Sequence, residues 1–304
     1  LGQFELIDRV TIAYYDSVVR FLRNFFRQEA SLGHLRPFDF NMLAYGLIGL
    51  TFFQALDWGP GQETYGRDRL IELTLDLIRG GLSGPRPYDQ PQDLAVSNVR
   101  LRPEDQAQQN DDLTQGQTTR QAIFQAAEKV FGQYGFNRAN ISEITRQAGV
   151  AQGTFYIHFK SKFDLMEGFV KYLSREMRRE LRLATDQTAD RREAEREGML
   201  AFYRFLARHR RIYRVVPEFE TTGREMTMWY YNKLAEGYMA GLAEGVKKGE
   251  IRDLPVPFLA RSLMGFHHLI GLKWLVWNSS PQAEIPQQFL SEAVEFWLYG
   301  LDPR

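Results

Sequence analysis

The chain has 304 residues, 44% of them hydrophobic and 25% charged, with 38 basic and 38 acidic side chains and no cysteine. That balance suits a soluble globular protein of two or three domains and excludes disulfides, thiolate metal sites and cysteine nucleophiles. No apolar run approaches the ~20 uncharged residues of a membrane span; the longest, 263–277, is interrupted by His267, His268 and Lys273.

Helical periodicity dominates from the first residues onward, predicting helices over 5–29, 40–57 and 67–80. From 83 to 117 the pattern gives way to Pro, Asp, Gln and Asn, the composition of a flexible linker. Helices resume at 119–134, 141–148, 152–158 and 162–183, and again at 190–208, 225–248, 256–278 and 286–299. Strand signals are almost absent, so the expected class is all-α. Charge is uneven beneath the overall balance: residues 118–182 hold eleven Lys or Arg against six Asp or Glu, a net of +5. Such a basic block is the footprint of a nucleic-acid module or of a solvated face.

Within that block, Ile123, Ala126, Ala127, Val130 and Phe131 share one face of a scaffold helix that stops at Gly135. Asn140 followed by Glu143 has the form of a capping box and opens a short helix ended by Gly149. A turn through Val150 and Ala151 leads into 152–158, which completes a helix-turn-helix layout. Phe155 and Phe159 are expected inside. Gln152 offers a paired donor and acceptor suited to adenine, Gly153 permits close backbone approach, and Thr154 can meet a phosphate or a thymine methyl. Tyr156 is expected beside the groove, with His158, Lys160 and Lys162 following toward the phosphates.

The segments IFQAAEKVF, YGF, ISEITRQAGV and GTFYIHFKSKFDL resemble the N-terminal domain of the tetracycline-repressor (TetR) family. By position, the resemblance implies base or groove contacts from Ala151, Gln152, Gly153 and Tyr156, and phosphate contacts from Ser142, Thr154, His158 and Lys162. Ala151 and Asn140 stand where the family often has serine and threonine. The resemblance also implies a helical effector and dimerisation domain after the DNA-binding unit, together with a double-stranded operator and a small-molecule effector as partners.

Shifting the sequence by 216 positions aligns Thr11, Tyr14, Tyr15, Gly33, Arg36, Leu43, Ala44, Leu47, Gly49, Leu56 and Trp58 with identical residues, from Thr227 to Trp274. Gly81 and Leu82 match Gly300 and Leu301 after a three-residue slip. The expected organisation is therefore an incomplete first effector domain at 1–82, a linker at 83–117, a DNA-binding domain at 118–182 and a second effector domain at 183–304. Leu1 falls deep inside the repeat and is not methionine, which suggests that an upstream part of the first copy is missing. The two effector domains would pair within one chain as a pseudo-dimer, between chains as a homodimer, or both.

Aromatics crowd the second effector domain, and Phe202, Phe205, Tyr213, Trp229, Tyr230, Tyr238, Phe266, His267 and Trp274 are its candidate pocket residues for a small apolar or aromatic, acyl-CoA-like effector. Most aromatics in such a set are core. The adjacent His267 and His268 point about 100° apart on a helix and make a poor metal pair. The run RHRRIYR at 208–214 is either an anion site or a solvated face. No nucleophile elbow, phosphate-cradling loop, cofactor motif or metal cluster is legible, so no enzyme is expected. The resulting expectation is a cytoplasmic, ligand-responsive DNA-binding regulator, a repressor released from its operator by its effector, with an activator as a further possibility. Its ligand would move two recognition helices off the ~34–36 Å repeat of successive major grooves. The alternative is a helical small-molecule carrier that no longer binds DNA.

Overall fold

The computed structural model describes residues 3–56, 65–89, 114–213, 215, 223–278, 280 and 283–303, with side chains from Ala13 onward. Trp58, Arg214 and residues 90–113 of the expected linker lie outside that set. The helices are α1 Gln3–Ser31, α2 Phe40–Leu56, α3 Arg67–Gly80, α4 Gln115–Arg138, α5 Ile141–Ala148, α6 Gln152–His158, α7 Lys162–Thr185, α8 Arg191–Arg208 and a short α9 Arg210–Tyr213. They continue with α10 Arg224–Lys247, α11 Val256–Gly271, which runs on as a π turn at Leu272–Val276, and α12 Gln287–Tyr299. Among the described residues there is no strand, and the all-α expectation holds.

Local chemistry sets the boundaries. Helix α4 starts earlier than expected because Thr114 and Gln117 form a full capping box, a T-x-x-Q signal present in the sequence but unread. Gly135, at φ 77°, breaks it before a last short turn to Arg138. Asn140 accepts the Glu143 amide at 2.9 Å. The reciprocal half of that box is absent because Glu143 turns to Arg146 instead.

Helices α1–α3 and α10–α12 pack on each other through contacts that come in reciprocal pairs. The Leu82 amide donates to the Trp297 carbonyl at 2.7 Å, and the Leu301 amide donates to the Ile78 carbonyl at 2.9 Å. Arg36 donates its amide to Leu301 (3.1 Å) while Arg252 donates its amide to Leu82 (2.8 Å). Arg36 also pairs with Glu295 at 2.6 Å, and Arg252 with Asp76 at 2.7 Å. Where α2 runs along α11, a Cβ on Gly49 would collide with the Gly265 carbonyl, and one on Gly265 with the Gly49 carbonyl. Each member of a pair maps onto the other by the repeat offset, so the contacts describe a local twofold axis through the two glycines.

The expected linker begins too early at 83. Residues 83–89 are held on the fold: Gly84 and Arg86 donate to the carbonyls of Glu250 (2.9 Å) and Gly249 (3.0 Å). Arg192, almost wholly buried, donates to the Arg86 carbonyl at 2.8 Å and lies over the Tyr88 ring at 4.3 Å. A buried guanidinium needs such partners, because desolvating it unpaired costs several kcal/mol.

Candidate nucleic-acid interface and effector cavity

Helices α4–α6 form a compact unit around Ile123, Val130, Phe131, Ile144, Phe155 and Phe159, all buried as the periodicity predicts. Gly149 takes the left-handed conformation (φ 69°, ψ 28°) that closes α5 and lets the chain turn into α6. Phe155 and Phe159 anchor α6 to α4. Arg120 locks the same joint by lying over the Phe159 ring at 4.4 Å and donating to the His158 carbonyl at 3.4 Å.

The outward row of α6 is the one the sequence reading named. Ala151, Gln152, Gly153, Tyr156 and Lys160 are exposed, while Thr154 and His158 are half-buried along its edge. Nothing would touch a Cβ on Gly153, so the helix surface there is open. Ile157, 80% exposed, continues the Gly153 row and was missed; an isoleucine two residues beyond the inward Phe155 could have been read as a contact for a thymine methyl.

Two expected phosphate contacts need correction. Lys162 is spent inside the protein, donating to the carbonyls of Phe136 (2.7 Å), Asn137 (3.1 Å) and Ala139 (2.7 Å), with its ammonium 4.7 Å from the Phe136 ring. It ties the start of α7 to the end of α4 and has no proton left for a phosphate. Ser142 is exposed, but its hydroxyl donates to Asn140 Oδ1 at 2.6 Å, so it must turn away from the cap to reach DNA. Arg146 is held by Glu143 at 2.5 Å; the pairing pushes the arginine pKa up and the carboxylate's down.

Behind this unit, α7, α9 and α10 border a small, half-open apolar cavity lined by Met166, Val170 and Leu173 of α7, Ile212 and Tyr213 of α9, and Met226 and Tyr230 of α10, among others. At about 60 Å³ it has room for a few waters. Its polar feature is a tyrosine pair, Tyr213 Oη to Tyr230 Oη at 2.6 Å, with Tyr230 donating onward to Met177 Sδ at 3.5 Å. Burial raises both phenol pKa values, so both stay protonated.

Of the nine candidate pocket residues, only Tyr213 and Tyr230 line this cavity. The other seven have separate structural partners. Phe202 packs beside Gly271, Phe205 stacks on His209 at 4.4 Å, and Trp229 lies under Lys171 at 5.9 Å. Tyr238 bonds Glu195 beneath Arg191. Phe266 fills the space over Gly46 in the α2–α11 contact, and Trp274 meets Tyr45 of α2 at 5.4 Å. His267 is bonded to the Tyr203 hydroxyl at 2.9 Å, and burial holds its pKa down at about 3. The basic run is likewise engaged: Arg208 pairs with Glu180, His209 with Glu128 at 3.2 Å, and Arg210 donates to the Ser280 carbonyl at 3.0 Å.

Residues 123–168, the helix-turn-helix and the start of α7, match the family model of bacterial regulatory proteins, tetR family. The HTH-type transcriptional repressor BepR of Brucella suis biovar 1 (strain 1330) is 42% identical over 52 residues, 17% of this chain and 25% of that protein. The fatty acid metabolism regulator protein of Bacillus subtilis (strain 168) is 26% identical over 147 residues, covering 47% of this chain and 75% of that one. Among solved structures, the transcriptional regulator FadR from Bacillus subtilis in complex with stearoyl-CoA superposes with a TM-score of 0.53 at 22% identity, over 59% of this chain and 97% of that one. FadR from Bacillus halodurans gives 0.54 at 18% identity, over 63% of this chain and 97% of the other. The structural likeness speaks for the fold, and the matched sequence for the reading unit. The likeness to the bacterial regulatory proteins of the tetR family lies in that unit, residues 123–168.

Proposed function

We propose that the chain is a cytoplasmic repressor whose grip on a double-stranded operator is released when an acyl-chain-bearing effector enters the cavity between α7, α9 and α10. The observation that carries this reading is shared structure: Met166, Val170 and Leu173 of the cavity wall lie on α7, which starts four residues after the end of α6. An acyl chain seated between these helices would press on α7, and α6 is anchored to the same unit. An effector that binds only the displaced state shifts the population away from the DNA-binding one. The apolar lining suits an acyl chain, and the FadR relative holding stearoyl-CoA supports that class. Ala151, Gln152, Gly153, Thr154 and Tyr156 are assigned to the groove, and Ser142, His158 and Lys160 to phosphates. Residues 1–82 are assigned to a first effector-type repeat, paired with the second inside one chain.

Stearoyl-CoA titrated into the protein–operator complex tests the reading. Micromolar ligand is expected to release the DNA, and a Val170→Trp chain, its cavity filled, is expected to hold DNA regardless of ligand. Release by unacylated coenzyme A alone, or no release at saturating stearoyl-CoA, would sink the acyl assignment.

A further inference from the structure

We infer that the α2–α11 interface carries a pairing code, one that accepts α2 against α11 and rejects either helix against a second copy of itself. This rests on the paired-repeat reading given above. The two faces are built on one pattern and meet at Gly49 and Gly265, equivalent positions where both backbones must approach. Beside that crossing the equivalence breaks. Phe266 places its ring where any side chain at residue 46 would be, and residue 46 is glycine. The twofold mates of this pair are Leu50 and Ser262, a smaller knob against a filled hole. One step further, Gln54 donates its amide to Ser262 Oγ at 2.9 Å and to the Phe258 carbonyl at 3.0 Å, all buried. Its mates are Ile270 and Gly46, which make no polar contact.

Each self-pairing therefore fails in a specific way. Two copies of α11 would drive Phe266 onto the occupied Ser262 position and set the buried serine hydroxyl against Ile270. Two copies of α2 would leave Leu50 facing the Gly46 hole and deprive Gln54 of its serine. Overpacking, voids and unpaired buried polar groups each cost on the kcal/mol scale. Together they discriminate between partners by penalising the wrong one. The natural partner of α11 is thus α2, and dimerisation of two chains through like faces is disfavoured.

The test uses two separately tagged full chains, Gly46→Phe and Phe266→Gly. Alone, each has a defective contact: two phenylalanines in one case, a void in the other. Mixed and refolded at micromolar concentration, each can lend the other its complementary face, and native mass spectrometry is expected to show an equimolar heterodimer as the main species. Wild-type chains with the two tags are expected to give no mixed species, and the Gly46→Phe, Phe266→Gly double variant is expected to return to that behaviour. Free exchange between wild-type chains, or no heterodimer from the mixed single variants, overturns the code. A cysteine pair introduced by Arg79→Cys and Asp302→Cys into this cysteine-free chain checks the underlying pairing separately. An intrachain cross-link with no partner selectivity sinks the code alone, whereas absence of the cross-link sinks the paired-repeat reading as well.

Discussion

The helix triplets α1–α3 and α10–α12 agree in backbone and disagree in exposure. Gly33 and Gly249 close their first helices at φ 76° and 72°, and Gly81 and Gly300 close their last at the same φ of 68°. Yet Tyr14 is 65% exposed where its counterpart Tyr230 lines the apolar cavity, and Ile71 and Leu75, 46% and 54% exposed, stand where Leu290 and Val294 are buried. The difference lies in the neighbours. Helices α7 and α8 pack on α10 and α12. Backbone turns and the twofold contact are kept by steric necessity, whereas side-chain burial follows whatever covers each copy.

The sharpest way to break this comparison is at the crossing. Gly49→Ala and Gly265→Ala each push a methyl into the opposing carbonyl and are expected to cost about 3 kcal/mol apiece in urea unfolding. Clearly unequal losses would mean that the two sides of the axis are not equivalent. Next comes acid. His267 and His268 occupy the second copy only, where the first has Thr51 and Phe52, and burial lowers their pKa values to about 3 and about 4. Unfolded, both take up protons near 6.5, so the unfolded state binds more protons below that pH and stability falls as pH drops. Between pH 7 and pH 5 the loss is expected to be about 2 kcal/mol for buried His268 and less for half-buried His267. His268→Phe, the first copy's residue, should remove the larger share of that slope. Arg36→Ala and Arg252→Ala, which cut equivalent ion pairs and carbonyl contacts, are expected to cost about 1 kcal/mol each and by similar amounts. Smallest for stability is Lys160→Met, in a unit that has no counterpart among residues 1–82. Unfolding should move by less than about 0.5 kcal/mol, while the salt dependence of operator binding weakens by about one phosphate contact.

Much of this was readable because it is local. Asn140, Gly149 and the inward pair Phe155 and Phe159 announce their caps, turn and helix face within a few residues, so α5 and α6 begin and end where the pattern places them. The matched glycines and tyrosines, at a constant offset, are legible for the same reason. What failed was the assignment of destinations. Lys162 looks like any surface lysine until the end of α4 is folded beside it. Phe266 and Trp274 carry the composition of a pocket but sit in the contact with α2, which lies more than two hundred positions away. The docking of residues 83–89 was hidden because its anchor, Arg192, reads in sequence as one of several exposed charges.

The seat of Lys162 limits how control can work. With its ammonium fastened to three carbonyls at the far end of α4, the first turn of α7 cannot slide without carrying the scaffold along. Under the proposed function an effector would tilt the head as one solid piece rather than loosen it, and amide exchange at Phe136–Ala139 is expected to stay equally slow with ligand bound. Such a regulator would let go of its promoter by aiming wrongly rather than by melting.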